Sequence, residues 1–210
     1  MDDPVPHGAA LNMAIDESLL AALPGPLLRV YRWERPAVSF GYFERWTPVR
    51  DAFPDRDAVR RWTGGGVVPH GGNEDFTYSL LLPGGCVEGA ARTYAAIHGA
   101  LCAGLREAGI DARMAGEAGE KVSQSCFENP VRHDVLAGGT KIAGAAQRRT
   151  RAGLLHQGSV QGVALPPDFG ARFAARLAAA VRPFAPDLPP EAMDLAARKY
   201  ASRSWLERRQ

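Results

Sequence analysis

Lysine is scarce in this chain of 210 residues: Lys121, Lys141 and Lys199 stand against 22 arginines. Arginine serves wherever a general cation suffices, so an isolated lysine points to a need for a compact, titratable ammonium. Cysteine is equally rare. Cys86, Cys102 and Cys126 are odd in number and show no C-x-x-C spacing, which argues against a disulfide framework and a zinc site and favours a reducing compartment. No apolar run approaches the roughly 18 residues that cross a bilayer, and the start, MDDPVPHGAA, lacks the basic and apolar regions of a signal peptide. A cytoplasmic protein without a membrane partner is expected. The net charge is only +2 and no aromatic-basic reader motif occurs, so nucleic acid is not an expected partner. Repeats and low-complexity segments are missing. So are the G-x-x-x-x-G-K-[ST] loop, the G-x-G-x-x-G turn, the G-x-S-x-G elbow and the H-E-x-x-H helix.

What is present reads as an α+β domain with a mostly antiparallel, hairpin-rich sheet and flanking helices. One domain over 1–210 is expected, its part from 165 to 210 helical. Met13, Ile15, Leu19, Leu20 and Leu23 recur at helical spacing before Pro24-Gly25, which predicts a first helix over 12–23. LLRVYRW (27–33), AVSFGYF (37–43) and DFTYSLLLP (75–83) predict strands. Residues 91–110 carry Tyr94, Ile97, Leu101 and Leu105 on one face of a helix, with His98 and Cys102 beside the stripe as ordinary helix residues. A hairpin over 134–149 turns on Gly138-Gly139, and 152–162 predicts a further strand. Two C-terminal helices follow. Asp168 is the expected N-cap of the first, and the second is entered through Pro189-Pro190.

Three constellations carry chemistry. In RRWTGGGVVPHGG (60–72) arginines precede three glycines and a histidine. Glycines let a backbone approach a ligand, and arginine offers a bidentate partner to phosphate or carboxylate, although a glycine-rich turn can be only a turn. In GGTKIAGAAQRR, strand alternation puts Lys141 on a face with Ala143, Ala145 and Gln147, a shelf of small side chains with room for a ligand. The alternative is an edge lysine that blunts aggregation. In SCFENP, Cys126 lies 15 residues before Lys141, and is either a nucleophile or an inert small hydrophobe.

Together these segments resemble the lipoate-protein ligase and octanoyltransferase superfamily, relatives of the biotin protein ligases. RRWTGGGVVPHGGNEDFTYSLLLP is similar to its Arg-Arg-x-Ser/Thr-Gly-Gly-Gly segment, GGTKIAGAAQRR to its Gly-x-Lys-Ile-x-Gly-x-Ala segment, LLHQGSV to its His-Gly-Thr/Ser strand and NMAIDESLL to its first helix, in matching order over 11–162. The resemblance implies a central mixed sheet with flanking helices and a tunnel for a medium-length acyl chain. It implies Lys141 and Cys126 as catalytic residues. Arg61, Thr63, Gly64, Gly65, Gly66, His70, Asp134, Gly144, His156, Gly158 and Ser159 are the implied substrate-binding residues, with Thr63, His70 and His156 shaping the pocket. No metal ligand set is implied on the transferase reading.

Two reactions share that scaffold. A transferase takes octanoyl from an acyl-carrier-protein thioester onto a cysteine and passes it to a lysine of a lipoyl domain, without a cofactor. A ligase activates lipoate with ATP and Mg²⁺. CFENP matches a Cys-Phe-x-x-Pro segment of one transferase branch, and His133 stands where ligases carry asparagine before Asp134. The unbroken Gly64-Gly65-Gly66 resembles the ligase form instead. The transferase is the favoured expectation and the ligase the alternative, with a non-catalytic binder of lipoylated proteins third. Expected acceptors are lipoyl domains of 2-oxoacid dehydrogenases and the H protein of glycine cleavage, with acyl carrier protein as a donor.

Overall fold

A computed structural model describes residues 1–72, 74–84, 89–116, 130–185 and 187–210. Six strands form an antiparallel sheet: β1 (Leu27–Tyr31), β5 (Asp75–Pro83), β6 (Ala112–Met114), β7 (Val135–Ala137), β8 (Thr140–Thr150) and β9 (Gly153–Gln161), in the order β1-β5-β9-β8-β7-β6. A second sheet of three strands places β2 (Ala37–Phe40) between β3 (Asp57–Arg60), parallel to it, and β4 (Val67–His70), antiparallel. The α+β class and the mixed, mostly antiparallel pairing are as expected.

The helices cover these sheets according to their apolar faces. α3 (Ala90–Glu107) and α4 (Phe169–Leu177) bury Ile97, Leu101, Leu105, Phe169 and Phe173 against Tyr78, Leu80, Ala143 and Val160 of the large sheet. α1 (Ala9–Ala22) contributes Ala9 and Met13 to one apolar cluster and Ile15, Leu19 and Leu20 to another. It is enclosed more completely than an amphipathic surface helix, since Asn12, Asp16 and Ser18 are buried as well. Asp16 is tolerated because Arg29 Nη1, Ser79 Oγ and Gln157 Nε2 all donate to it, at 2.9, 2.5 and 2.8 Å. The short α2 (Trp46–Ala52) packs Val49 on Val38 and Phe40 of the small sheet.

The hairpin turns where the two glycines predict it. Gly138 and Gly139 have φ of 55° and 84°, the double left-handed pair a two-residue turn requires. Beyond the turn the register shifts: Leu136 faces Lys141 but Val135 faces Ala143. This β-bulge puts the consecutive residues Ile142 and Ala143 into the same apolar cluster.

The C-terminal part departs from expectation. Asp168 does stand at the N-cap position of α4, but its side chain makes no capping bond and pairs with Arg172 instead. The second helix is broken into α5 (Pro190–Leu195), a π-helical turn over Ala196–Tyr200 and α6 (Arg203–Leu206). Tertiary bonds outweigh the helix propensity of this stretch. Lys199 Nζ and Tyr200 Oη both donate to Glu17 of α1, and the buried Arg60 guanidinium donates to the carbonyls of Trp205 and Leu206. No helix among the described residues is long and apolar enough to cross a membrane.

Candidate active site

Lys141 is not an edge lysine facing solvent. It is 8% exposed, and its Nζ lies 2.7 Å from Asp134 Oδ2 at the mouth of the β7–β8 hairpin. The bulge also changes its neighbours. The lysine lies against Gly144, whose hypothetical Cβ would sit 2.7 Å from Lys141 Cε, rather than along Ala143, Ala145 and Gln147. Ala143 faces the core, and Gln147 Nε2 meets His156 Nδ1 at 3.1 Å. Gly144 is thus a glycine because the ammonium occupies the space of its side chain.

Asp134 is held at both oxygens. Oδ2 accepts from Lys141 and from the Val131 amide at 2.8 Å, while Oδ1 accepts from Tyr94 Oη at 2.5 Å. Tyr94 and His98, one helical turn apart on α3, are neighbours of this pair that sequence reasoning missed. Tyr94 read as an apolar stripe residue and His98 as an ordinary helix residue because their partners are about 40 positions away. The His98 Nδ1 donates to the His133 carbonyl at 2.7 Å, and burial lowers the His98 pKa to about 4 against the opposing pull of that bond and of Asp134. His156 lies behind it, with burial and then His98 keeping its pKa well below the usual imidazole value. Gly158, next on that face of β9, is demanded by Tyr78, whose hydroxyl a Cβ would meet at 2.5 Å.

The triple-glycine loop follows β3. Its two arginines serve the protein's own backbone. Arg60 donates to the carbonyls of Gly41, Tyr42 and Glu44 as well as to the C-terminal ones, and Arg61 donates to Gly64 O, Gly66 O and Ser39 Oγ. Arg61 therefore shapes the loop from within. Gly65 has φ of 82°, and its carbonyl passes 1.8 Å from where a Cβ on Gly41 would stand, so both positions need glycine. A Cβ at Gly64 would meet nothing within 4 Å among the described residues. Thr63 is buried and donates to Gln157 Oε1 at 2.8 Å, joining the loop to Asp16 through that amide.

His70 and Ser159 belong to a third network. His70 Nε2 meets Ser39 Oγ at 2.7 Å and its Nδ1 meets Asp75 Oδ2 at 3.1 Å, while Ser159 Oγ and Thr77 Oγ1 donate to the other Asp75 oxygen. The outline is that of a Ser-His-Asp relay. Ser39, however, is 2% exposed inside β2 and already accepts a bond from Arg61, so no substrate carbonyl reaches it. Burial lowers the His70 pKa. Burial acts to raise that of Asp75, but its bonds from His70, the Gly71 amide and Ser159 hold it below the usual range. The network braces β2, β4, β5 and β9. A depression of about 480 Å³ beside it is walled by Arg56, His70, Glu74 and Asp75, among others, and not by Lys141 or Asp134.

The expected site residues thus fall into three groups joined by β9, in which His156 and Gly158 alternate with Gln157 and Ser159 along the strand. Cys126, with Phe127, lies outside the described residues, as does Cys86, whereas Cys102 is a buried free thiol in α3.

The chain is similar to known proteins in sequence and in fold. The octanoyltransferase LipM of Kyrpidia tusciae is 37% identical over 175 residues, covering 72% of this chain and 61% of its own. That of Staphylococcus aureus is 32% identical over 168 residues, covering 71% and 60%. The chain therefore spans about three fifths of the length of these curated relatives. Among solved structures, a Thermoplasma acidophilum protein described as a lipoate protein ligase, with bound lipoic acid, superimposes with a TM-score of 0.75 at 22% identity, covering 100% of this chain and 97% of its own. Lipoate-protein ligase A bound with ATP gives 0.69 at 22%, covering 99% and 96%, a likeness of fold. The lipoyl protein ligase A/B catalytic domain model matches residues 8–161, and the chain belongs to that family.

Proposed function

We propose that the protein transfers an octanoyl group from acyl carrier protein to the acceptor lysine of lipoyl domains and of the glycine cleavage H protein. The observation that carries this reading is the buried Lys141–Asp134 pair, set against Gly144 and joined through the Val131 amide to the chain that leads back to Cys126 five residues earlier. The octanoyltransferase relatives support it.

On this reading the Cys126 thiolate attacks the octanoyl carbonyl, a C–S bond forms to the enzyme, and the carrier thiol leaves. The acceptor lysine amine then attacks that thioester, an amide forms, and the Cys126 thiol is regenerated. A free thiol is only a few per cent ionised near neutral pH, so the reaction needs a nearby cation, the role assigned to Lys141. Backbone amides of the Gly64–Gly66 loop are suited to the developing oxyanion, since Arg61 engages the carbonyls of that loop. Thr63, His70, His156, Gly158 and Ser159 act by holding these elements in place. No cofactor enters these steps. The cell compartment proposed is the cytoplasm.

The unbroken triple glycine favours a second reading, an ATP- and Mg²⁺-dependent lipoate ligase acting through an acyl-adenylate. Intact-mass spectrometry of a lipoyl domain separates the two. The transferase reading expects an octanoyl mass increment with octanoyl-carrier protein alone, a hydroxylamine-labile adduct on the enzyme when the acceptor is withheld, and loss of both in Cys126→Ser. An active Cys126→Ser enzyme that consumes ATP and lipoate establishes the ligase. No increment under either condition leaves the non-catalytic binder.

A further inference from the structure

The Asp134–Lys141 pair is gripped from α3, and the grip has a specific geometry. β7 pairs with β8 only as far as Val135 opposite Ala143. Past that point Tyr94 from α3 stands in for a strand: its hydroxyl oxygen accepts from the Ala145 amide at 3.0 Å. The single hydroxyl proton faces two acceptors, the Asp134 carboxylate at 2.5 Å and the Ala145 carbonyl at 3.3 Å, and the nearer, charged one takes it. One turn further along α3, His98 donates to the carbonyl of His133. The helix thus holds two consecutive residues, one through its backbone and one through its side chain.

His133 needs holding. Its φ of 72° is the only positive value outside glycine among the described residues, and a strained backbone persists only where its surroundings over-determine it. Two further bonds pin the same turn, from His133 N to Ala115 O at 2.9 Å and from Asp134 N to Val131 O at 3.0 Å. His98 also keeps a buried Nε2 with no hydrogen-bond partner among the described residues, its ring proton being on the Nδ1 that meets that carbonyl.

We propose that Tyr94 is the positioning residue of the Asp134–Lys141 pair, its hydroxyl holding one carboxylate oxygen so that only the other engages the ammonium. This rests on the role proposed above for Lys141, the cation that favours the Cys126 thiolate. Without the hydroxyl, the carboxylate turns both oxygens toward Lys141, and the ammonium is drawn back from the position where it acts.

The test is Tyr94→Phe, which keeps the ring and removes one atom, followed by two independent readouts. The first is the rate at which a water-soluble N-hydroxysuccinimide acetate acylates Lys141 relative to Lys199, read by peptide mass. With three lysines in the chain each site is resolved. The Lys141 rate should fall at least about threefold with Lys199 unchanged, and the effect should shrink below about twofold in an Asp134→Asn background, since Tyr94 acts through that carboxylate. The second readout is transfer kinetics, where kcat should fall about tenfold with the donor KM kept within twofold. An unchanged Lys141 rate, equal acceleration at both lysines as from general loosening, or a full effect in the Asp134→Asn background overturns the proposal. If the wild-type protein transfers no acyl group, the functional reading fails, and the labelling comparison still decides the role of Tyr94.

Discussion

At the scale of single residues, the site is defined by where side chains exclude one another. Lys141 Nζ and Cε fill the volume above Gly144, and that volume suits a slender ammonium chain rather than a planar guanidinium. Lys141→Arg should therefore lower kcat about 100-fold or more while leaving the melting temperature within a few degrees, measured by acceptor mass increment and thermal unfolding. Near-full activity in that variant reduces Lys141 to a structural cation. Gly158 tests the neighbouring wall. An added methyl meets the Tyr78 ring at 2.4 to 2.7 Å, and Tyr78 is fully buried and cannot swing away. Gly158→Ala should cost about 1–3 kcal/mol in denaturant unfolding.

At the scale of elements, local chemistry was legible and long-range chemistry was not. The hairpin was readable because Gly138-Gly139 supplies the turn with both of its left-handed residues, and β5 because its apolar run ends at a proline. The bulge at Ile142 has no local mark: it comes from pairing with β7, so the residues sharing a face with Lys141 were misassigned. The roles of Arg61 and Tyr94 were hidden for the same reason, since a guanidinium that binds its own loop and one that binds a ligand have the same sequence. The broken C-terminal helix is the largest departure. Entered through two prolines and carrying four alanines, it has good local credentials, yet Glu17 and Arg60 pull it into three pieces. Arg60 is the test. Burial and the charges of Arg208 and Arg209 lower its pKa to about 10, and it stays cationic among carbonyl oxygens. Arg60→Met should leave those carbonyls unpaired, destabilise the protein by about 3 kcal/mol or more, and open the chain after Tyr200 to limited proteolysis.

At the scale of the whole molecule, three buried imidazoles set the acid limit. His70, His98 and His156 all have pKa values below the usual 6.5, with burial the largest cause in each. A base whose folded pKa is depressed stays neutral in the fold while the unfolded chain takes up its proton. Stability is therefore full above the unfolded value and is lost as pH falls from about 6.5 toward 4. Asp75, also lowered in the fold, adds its own loss at more acidic pH, below the ordinary carboxylate range. The midpoint of urea unfolding should drop steadily between pH 6.5 and 4.5, and His98→Asn should flatten that slope. An unchanged midpoint across this interval would show that these rings titrate normally.

The Arg60 clamp also orders events in time. Its guanidinium is synthesised about 145 residues before the carbonyls of Trp205 and Leu206 that complete its shell, and Glu17 waits 183 positions for Tyr200. During translation both sheets can assemble behind the emerging chain while this guanidinium and carboxylate still face water. Closure comes late, as a docking step of high contact order. On a ribosome adding residues at about 5–20 per second, the interval is tens of seconds at the slow end. A nascent chain paused within that interval exposes the α1 face that Ala192, Leu195 and Tyr200 later cover, and that face is where a holding chaperone would engage it.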